Sequence, residues 1–268
     1  MTSSKIERIA RDRFDGWRNR QRFTQLTGEL MPDSMEEAYT AQAALYELMR
    51  KEAGYTSFAG HKVALTSPAI QEMCGVDQPA YGAIFSEFVH QDGHIADPAD
   101  FIRLGIEFEV AFKIGETLPV SDQPLQAEDL RPFIESAMPA FELIDDRDAD
   151  YAHLDGISIL CDRCWCNGIV LGEATTDIDH LDFANLQSEV EWNGDVDEQG
   201  NTGWVLDNPL NSIAFVANHL NARGKQLQAG EIVMTGSALK TRFPIAGDTA
   251  IYRVEGLGEV IASVARAV

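Results

Sequence analysis

The sequence predicts an α+β fold, in which a mixed β-roll or barrel follows a short helical annex. From Thr56 onward, apolar residues alternate along short segments that Gly and Pro interrupt, which is typical of strands. Before that point, two segments carry apolar residues three to four positions apart, as helices do. Many short strands with few helices favour a mixed sheet over a parallel α/β fold. We therefore expect an annex over residues 1–55 and a β-roll domain over residues 56–268.

The expected elements follow from local signals. Ser34 and Glu37 form a capping-box pattern before the second helix, and Gly54 ends it. In the last helix, Pro209 stands in the first turn and Gly224 follows the end. The predicted order is a helix over residues 3–21, a helix over 34–54, a strand over 58–65, a hairpin over 88–98 that turns at 91–93, a strand over 101–114, a helix over 128–137, a strand over 139–144, an Asn-Gly hairpin at 190–194, a helix over 207–224, a strand over 231–235 and a strand pair meeting at 256–258.

The net charge of the chain disfavours nucleic acids and anionic membranes as partners. The 268 residues include 43 acidic and 21 basic side chains, a formal net charge of −22. Such a chain is repelled by nucleic-acid phosphates and by anionic membranes. No stretch approaches the roughly 20 apolar residues of a membrane span, and charged residues occupy the place of a signal-peptide core, so we expect a cytoplasmic protein. A site for an anionic substrate would need a metal ion or a buried basic residue.

The strand over residues 101–114 carries the main candidate site. Its apolar residues alternate strictly, and Glu107 and Glu109 lie on the opposite face, roughly 7 Å apart. A third carboxylate, Glu142, interrupts the apolar strand over residues 139–144. If the two strands pair, the three carboxylates offer oxygen ligands that suit Mg²⁺ or Mn²⁺. The alternative is that Glu107 and Glu109 form the solvated face of an edge strand.

Lys62 is the candidate acid or base, because it interrupts a strand of small and apolar residues. Its alternative is an outward-facing lysine on an edge strand. The crowded cysteines Cys161, Cys164 and Cys166 lack a second ligand pair at zinc-finger spacing. We interpret them as buried strand cysteines.

An ordered series of motifs resembles the 2-keto-4-pentenoate hydratase and 4-oxalocrotonate decarboxylase family of the fumarylacetoacetate hydrolase superfamily. The resemblance implies a mixed β-roll, a homo-oligomer, an Mg²⁺ or Mn²⁺ site at Glu107, Glu109 and Glu142, and acid/base work by Lys62. It also implies that the loop with Thr235 and Ser237 lies against the substrate. The motifs are Gly60–Ser67, Gly75-Val76 with Tyr81-Gly82, Ile106–Glu109, Pro139–Asp145, Asn208–Asn211, Ala229–Ser237 and Gly247-Asp248.

Three positions depart from the family pattern. Ala80 replaces an acidic residue implicated in hydratase proton transfer, and Gly105 replaces a basic residue before the Glu-x-Glu motif. The family's Asp-Asn-Ala-Ser segment reads Asp162-Arg163-Cys164-Trp165 here. Asp162 matches the pattern, and we hypothesise that Arg163 restores the lost positive charge and contacts the substrate carboxylate.

The resemblance implies a lyase that hydrates a 2-hydroxy-2,4-dienoate, in its 2-oxo-4-enoate tautomer, to a 4-hydroxy-2-oxo acid in the catabolism of aromatic compounds. Because an acidic residue is missing at position 80, the hydratase interpretation is weaker, and this favours the alternative of a decarboxylase that acts on a vinylogous 2-oxo-dioate. A non-catalytic protein that binds a 2-oxo acid, or that assembles with another enzyme, is the third interpretation. Association with a decarboxylase or aldolase of the same pathway is a further expectation.

Overall fold

Strands and short helices alternate along the chain, and the computed structural model describes them over residues 4–121 and 123–266. No helix in this part of the chain is long and apolar enough to cross a lipid bilayer. The helices are α1 (Lys5–Arg18), α2 (Met35–Leu48), α3 (Pro68–Met73), α4 (Ala127–Leu130), α5 (Gly156–Cys161) and α6 (Leu210–Ala222). The strands are β1 (Phe58–Ala64), β2 (Ala80–Phe85), β3 (Val89–Gln91), β4 (His94–Ala96), β5 (Leu104–Ile114), β6 (Ile134–Asp145), β7 (Cys166–Leu171), β8 (Gln187–Trp192), β9 (Asp195–Asn201), β10 (Ile232–Met234), β11 (Thr249–Val254) and β12 (Gly258–Val264).

Two mixed sheets pack face to face, which confirms the predicted α+β fold with mixed sheets. One sheet has the order β2-β1-β10-β5-β6-β7-β3 and the other the order β4-β12-β11-β8-β9. Phe108 and Phe141 of the larger sheet meet Tyr252 of the smaller one, with ring centroids 5.6 and 6.3 Å from that of Tyr252. Because side chains alternate along a strand, the opposite face of β5 carries Glu107 and Glu109.

Helix α2 covers the outer edge of β2 and satisfies its backbone polar groups. The hydroxyl of Tyr39 accepts a hydrogen bond from the backbone N–H of Tyr81 at 3.2 Å, and that of Tyr46 accepts from Ala83 at 2.6 Å. The side-chain amide of Gln42 donates to the carbonyl of Tyr81 at 3.1 Å. An uncovered strand edge is a site for pairing with other chains, so α2 protects this sheet. The boundary near residue 55 stays a prediction.

The local caps of the helices agree with the sequence. The Ser34 hydroxyl accepts from the N–H of Glu37 at 3.2 Å, while the Glu37 carboxylate accepts from the N–H of Asp33 rather than from that of Ser34. After α2 the chain makes one π-helical turn and stops at Gly54, which has a φ of 83°. The predicted Gly stop is therefore confirmed, since this left-handed conformation favours glycine.

The predicted helix over residues 128–137 is wrong beyond its first turn. Helix α4 ends at Leu130, and β6 begins at Ile134, where it pairs with Ile114 of β5. Pro132 lies between them in a 3₁₀ turn. Proline lacks the N–H that an α-helix needs and restricts the residue before it, so the helical pattern ends there.

The predicted hairpin over residues 88–98 turns where expected, but its two strands do not pair with each other. Strand β3 pairs in parallel with β7, and β4 pairs in parallel with β12 of the other sheet. The turn is attached to β12, because Gly93 donates to the carbonyl of Ile261 at 2.9 Å and Asp92 accepts from its N–H at 2.7 Å. The segment thus passes from one sheet to the other.

The cysteines are buried, but only one of the three clustered thiols lies in a strand. Cys161 ends α5, Cys164 lies in the following turn and Cys166 begins β7. The interpretation as strand cysteines is therefore right for Cys166 alone. Local alternation did not reveal α5 or the turn, because α5 is short and mostly apolar and the turn that follows has no periodic pattern.

Gly60 allows β1 and β10 to pair. A Cβ atom at Gly60 would lie 1.9 Å from the carbonyl oxygen of Ile232. Gly60→Ala must therefore separate the two strands, and we expect a loss of about 3 kcal/mol in the free energy of unfolding, measured by urea denaturation. Gly168→Ala is the matched control, because its Cβ would meet only an ordinary contact, 3.4 Å from His90. Equal denaturation midpoints for the two variants would show that this contact does not limit the fold.

Candidate active site

Three carboxylates meet on the face of the larger sheet that points away from the smaller one. The register of β5 and β6 sets Glu107 directly opposite Glu142, and Glu109 follows two residues along the same face. One oxygen of each carboxylate lies within 4.8 Å of the others. Strand β5 is central in the sheet, and Glu109 and Glu142 are 0% exposed. The alternative of a solvated edge-strand face is therefore wrong.

The loop after β10 holds two of the carboxylates in place. The backbone N–H of Gly236 donates to Glu109 Oε2 at 2.8 Å, and the hydroxyl of Thr241 donates to Glu107 Oε1 at 2.7 Å. Gly236 has a φ of 102°, and a Cβ atom there would lie 2.5 Å from the side chain of Thr66. Only glycine fits this conformation without strain. No sequence pattern pointed to Thr241, because it lies in a loop far along the chain from β5.

The site leaves carboxylate oxygens without partners. Within the described part of the chain, Glu109 Oε1 and Glu142 Oε2 accept no hydrogen bond although both are buried. Buried unpaired carboxylate oxygens are costly, and a divalent cation bound between them would remove that cost. The donor set is all oxygen, which suits Mg²⁺ or Mn²⁺. The residues present therefore fit such an ion.

Burial and the repulsion between neighbouring carboxylates make Glu109 and Glu142 weaker acids than usual. Desolvation raises the pKa of Glu142 to about 7, because the repulsion from Glu107 adds to it while the attraction of Lys62 opposes it. Desolvation and the charges of Glu142 and Glu107 raise the pKa of Glu109 well above its ordinary value. Without a cation, the site therefore favours protonated carboxyl groups.

Lys62 joins this cluster from β1. Its ammonium lies 3.0 Å from Glu142 Oε1 and donates to the carbonyl oxygen of Cys164 at 3.0 Å. The side chain is only 2% exposed. Burial disfavours its charge, but the nearby Glu142 and Glu107 carboxylates outweigh that effect and raise the pKa of Lys62. The side chain is thus inward-facing and charged, and the alternative of an outward lysine is wrong.

Thr235 and Ser237 bind the backbone of β5. The Thr235 hydroxyl donates to the carbonyl of Val110 at 2.8 Å, and the Ser237 hydroxyl accepts from the N–H of Phe108 at 2.9 Å. Both contacts fix the loop that presents Gly236 to Glu109. These bonds favour a supporting role for the two side chains, and direct substrate contact by either one stays a prediction.

Asp162 and Arg163 are engaged elsewhere. The buried carboxylate of Asp162 forms an ion pair with Arg147. The Arg163 guanidinium donates to the carbonyl of Cys166 at 2.9 Å and lies 5.6 Å from the ring centroid of Trp17. These contacts direct the Arg163 side chain toward the annex. They favour packing roles for both residues, and their predicted contact with substrate is untested.

Glu109→Gln tests the electrostatics of the cluster, because it removes one charge and keeps an acceptor for Gly236. A carboxyl group whose folded pKa is raised contributes stability at low pH that is lost as the pH rises through that value. Metal-free wild type should therefore lose stability between pH 5 and pH 8, and the variant should lose less. At pH 8 we expect metal-free Glu109→Gln to melt about 2–4 °C higher for each kcal/mol relieved.

The same variant should lose the response to metal. Mg²⁺ should raise the melting temperature of the wild type at pH 8 and leave that of Glu109→Gln nearly unchanged, as followed by calorimetry. Glu116→Gln, an exposed carboxylate removed outside the site, is the matched control. An equal Mg²⁺ response in both variants would show that Glu109 is not a ligand.

Comparison with known proteins places this site in a family. The model of the fumarylacetoacetate (FAA) hydrolase C-terminal family matches residues 58–265. A 4-oxalocrotonate decarboxylase of Pseudomonas sp. (strain CF600) is 32% identical over 244 residues, 86% of each protein. The 2-keto-4-pentenoate hydratase 2 of Dechloromonas aromatica is 31% identical over 203 residues, 76% of each.

A solved structure agrees over almost the whole chain. The 4-oxalocrotonate decarboxylase from Pseudomonas putida G7, complexed with magnesium and adipate, superposes with a TM-score of 0.89 at 28% identity and covers 98% of both chains. The resemblance drawn from the motifs is thereby confirmed. The chain belongs to the fumarylacetoacetate hydrolase family, in the group that includes 2-keto-4-pentenoate hydratases and 4-oxalocrotonate decarboxylases.

Proposed function

We propose that this chain is a metal-dependent hydro-lyase that adds water to a 2-hydroxy-2,4-dienoate and releases a 4-hydroxy-2-oxo acid. The observation that carries the proposal is the buried cluster of three carboxylates with Lys62 ion-paired to one of them. Relatives named 2-keto-4-pentenoate hydratase and 2-hydroxyhexa-2,4-dienoate hydratase support this substrate class. We assign the pathway to the catabolism of aromatic compounds.

Glu107, Glu109 and Glu142 would hold Mg²⁺ or Mn²⁺. Such an ion, when bound, supplies a Lewis acid that stabilises negative charge on the carboxylate and C2 oxygen of a 2-oxo acid. Gly236 and Thr241 keep Glu109 and Glu107 oriented through their hydrogen bonds. Preorganised ligands of this kind lower the cost of forming the site.

Lys62 is the proton donor in this proposal. Its raised pKa keeps the ammonium charged, so it enters the reaction as an acid. Protonation of the far end of the dienol by Lys62 Nζ, with the C2 hydroxyl proton returned to the neutral amine, gives a 2-oxo-3-enoate. Water then adds at C4, and a proton is delivered to C3. Glu142, 3.0 Å from Nζ, orients the ammonium before the transfer.

Decarboxylation of a vinylogous 2-oxo-dioate is the second candidate. Ala80, where an acid is expected for hydration, is fully buried in β2 opposite Ala64. A decarboxylase needs the same electron sink but no group to activate water, since the distal carboxylate leaves as CO₂. The decarboxylase from Pseudomonas putida G7 also shares the fold over nearly the full length. A non-catalytic 2-oxo-acid-binding protein is the third interpretation, and failure to bind metal would favour it.

We further propose a cellular location, an oligomeric state and a partner for the protein. We place the chain in the cytoplasm as a homo-oligomer, in contact with a decarboxylase or aldolase of the same pathway. Exposed apolar side chains support burial between subunits, among them Ile95, Val196 and Ile245. Light scattering that gives the mass of a single chain would contradict the oligomer.

The proposal is tested by proton NMR of the products. Chelator-treated protein should be inactive, and returned Mg²⁺ or Mn²⁺ should restore conversion of 2-hydroxypenta-2,4-dienoate to its 4-hydroxy-2-oxo product. Release of CO₂ from 2-oxohex-3-enedioate without hydration would assign the decarboxylase instead. If metal-bound protein turned over neither substrate, both the hydratase and the decarboxylase proposals would be excluded.

Lys62→Met should lower kcat by about 10²- to 10⁴-fold, because it removes the proton donor, while Mg²⁺ binding measured by calorimetry persists. Lys113→Met is the matched control, because this lysine lies on β5 but pairs with Glu135 at the surface. A fully active Lys62→Met variant would exclude Lys62 as the acid.

A further inference from the structure

The turn between α5 and β7 has an unusual backbone. Arg163, Cys164 and Trp165 have φ angles of 59°, 52° and 63°, three successive left-handed conformations at residues other than glycine. Such conformations persist only where the surrounding structure enforces them, and they cluster at functional sites. Here the carbonyl of the middle residue, Cys164, accepts the hydrogen bond from the Lys62 ammonium. The turn is therefore part of the wall around Lys62.

Trp165 carries an unused donor at this turn. Its side chain is 8% exposed, and within the described residues its indole N–H makes no hydrogen bond. Phe23 packs edge-on against the ring, with centroids 5.1 Å apart, and Tyr151 lies at 6.3 Å. An N–H that is buried without a partner is destabilising, and a hydrogen bond to a bound ligand would remove that cost.

The surroundings of Trp165 locate it at the end of the site marked by Gly105. The next residue, Cys166, pairs with Ile144, and Ile144 lies over Gly105 so closely that a Cβ atom there would be 2.7 Å from its side chain. Gly105 is two residues from Glu107, on the same face of β5. The basic side chain expected at position 105 is thus replaced by packing, and Trp165 lies one residue before the strand position that pairs with Ile144.

The arginines around this end of the site are held by contacts that point elsewhere; the Nε–H of Arg163 also lacks an acceptor within the described residues, but its guanidinium lies over Trp17 and Phe88. Arg103 donates through Nε to Asp146 at 2.8 Å, Arg147 pairs with Asp162, and Arg163 donates to the carbonyl of Cys166. Breaking any of these contacts to bind a substrate anion would leave a buried group unpaired. A neutral N–H has no such cost, because it brings no charge and needs no counter-ion.

We propose that the Trp165 indole N–H donates a hydrogen bond to the carboxylate of the bound 2-oxo or 2-hydroxy acid. Trp165 thereby takes the role that the sequence suggested for Arg163. This inference rests on the proposed function for the identity of the ligand class. It requires only that the site binds a 2-oxo acid, so it can hold even if the reaction is not a hydration.

Titration of the wild type with pyruvate, the smallest 2-oxo acid, gives a direct test. The chain has four tryptophans, so the ¹⁵N-labelled, Mg²⁺-loaded protein should show four indole N–H signals, of which Trp165→Phe lacks one. We expect the Trp165 signal to move downfield as pyruvate binds. A Trp165 signal that stays unchanged at saturation would overturn the inference, and this measurement does not depend on the stability of a variant.

Trp165→Phe keeps most of the ring and removes the donor. We expect the Kd for pyruvate and the KM for the active dienoate to rise about tenfold, with kcat and Mg²⁺ affinity nearly unchanged. Trp204→Phe, at a 60% exposed position, should behave like the wild type. Unchanged Kd and KM in a folded Trp165→Phe protein would also overturn the inference. If pyruvate shifts the signal but no dienoate is turned over, the proposed function fails and the Trp165 contact stands.

Discussion

Repulsion among Glu107, Glu109 and Glu142 is the interaction on which the rest of the site depends. Three carboxylates on this face of the sheet destabilise the metal-free fold, since Glu109 and Glu142 are shielded from water and all three repel one another. Lys62 offsets only part of this charge. The arrangement is stable in its ionised form when a divalent cation completes it, so folding and metal binding are coupled at this position.

The rigid parts of the fold keep the carboxylates in position. The pairing of β5 with β6 fixes Glu107 against Glu142, and the Phe108–Tyr252 contact anchors the other face of β5 to the second sheet. The loop after β10 runs beside β5 and supplies the Gly236 N–H. A site built on central strands holds its geometry more closely than one built on loops alone.

Backbone groups and neutral side chains provide several of the hydrogen-bond donors and acceptors around the carboxylate cluster. Gly236 contributes an N–H to Glu109, Cys164 contributes a carbonyl to Lys62, and Trp165 offers an indole N–H. Two arginines nearby are neutralised by carboxylates, Arg147 by Asp162 and Arg103 by Asp146, whereas Arg163 donates to a backbone carbonyl. In the proposed function, a chain of net charge −22 would bind an anion through a metal and neutral donors.

The sequence by itself determined the chemistry-bearing residues, because their signals are local. Strict alternation placed Glu107 and Glu109 on one strand face, and a charge within an apolar strand marked Lys62 and Glu142. Strand pairing is not local, so only the tertiary structure decided that β5 is central and that Glu142 lies opposite Glu107. The same limit explains the false hairpin, whose strands find partners in different sheets far along the chain.

Side-chain direction was likewise decided by the tertiary structure. The Asp162–Trp165 segment was recognisable in the sequence, but its left-handed backbone turns Arg163 toward Trp17 and leaves the Trp165 N–H unpaired. No periodicity predicts such a turn, since three successive positive φ angles at these residues are unfavourable in isolation and exist only through the surrounding packing. The sequence thus specified which groups are available, and packing specified which of them face one another.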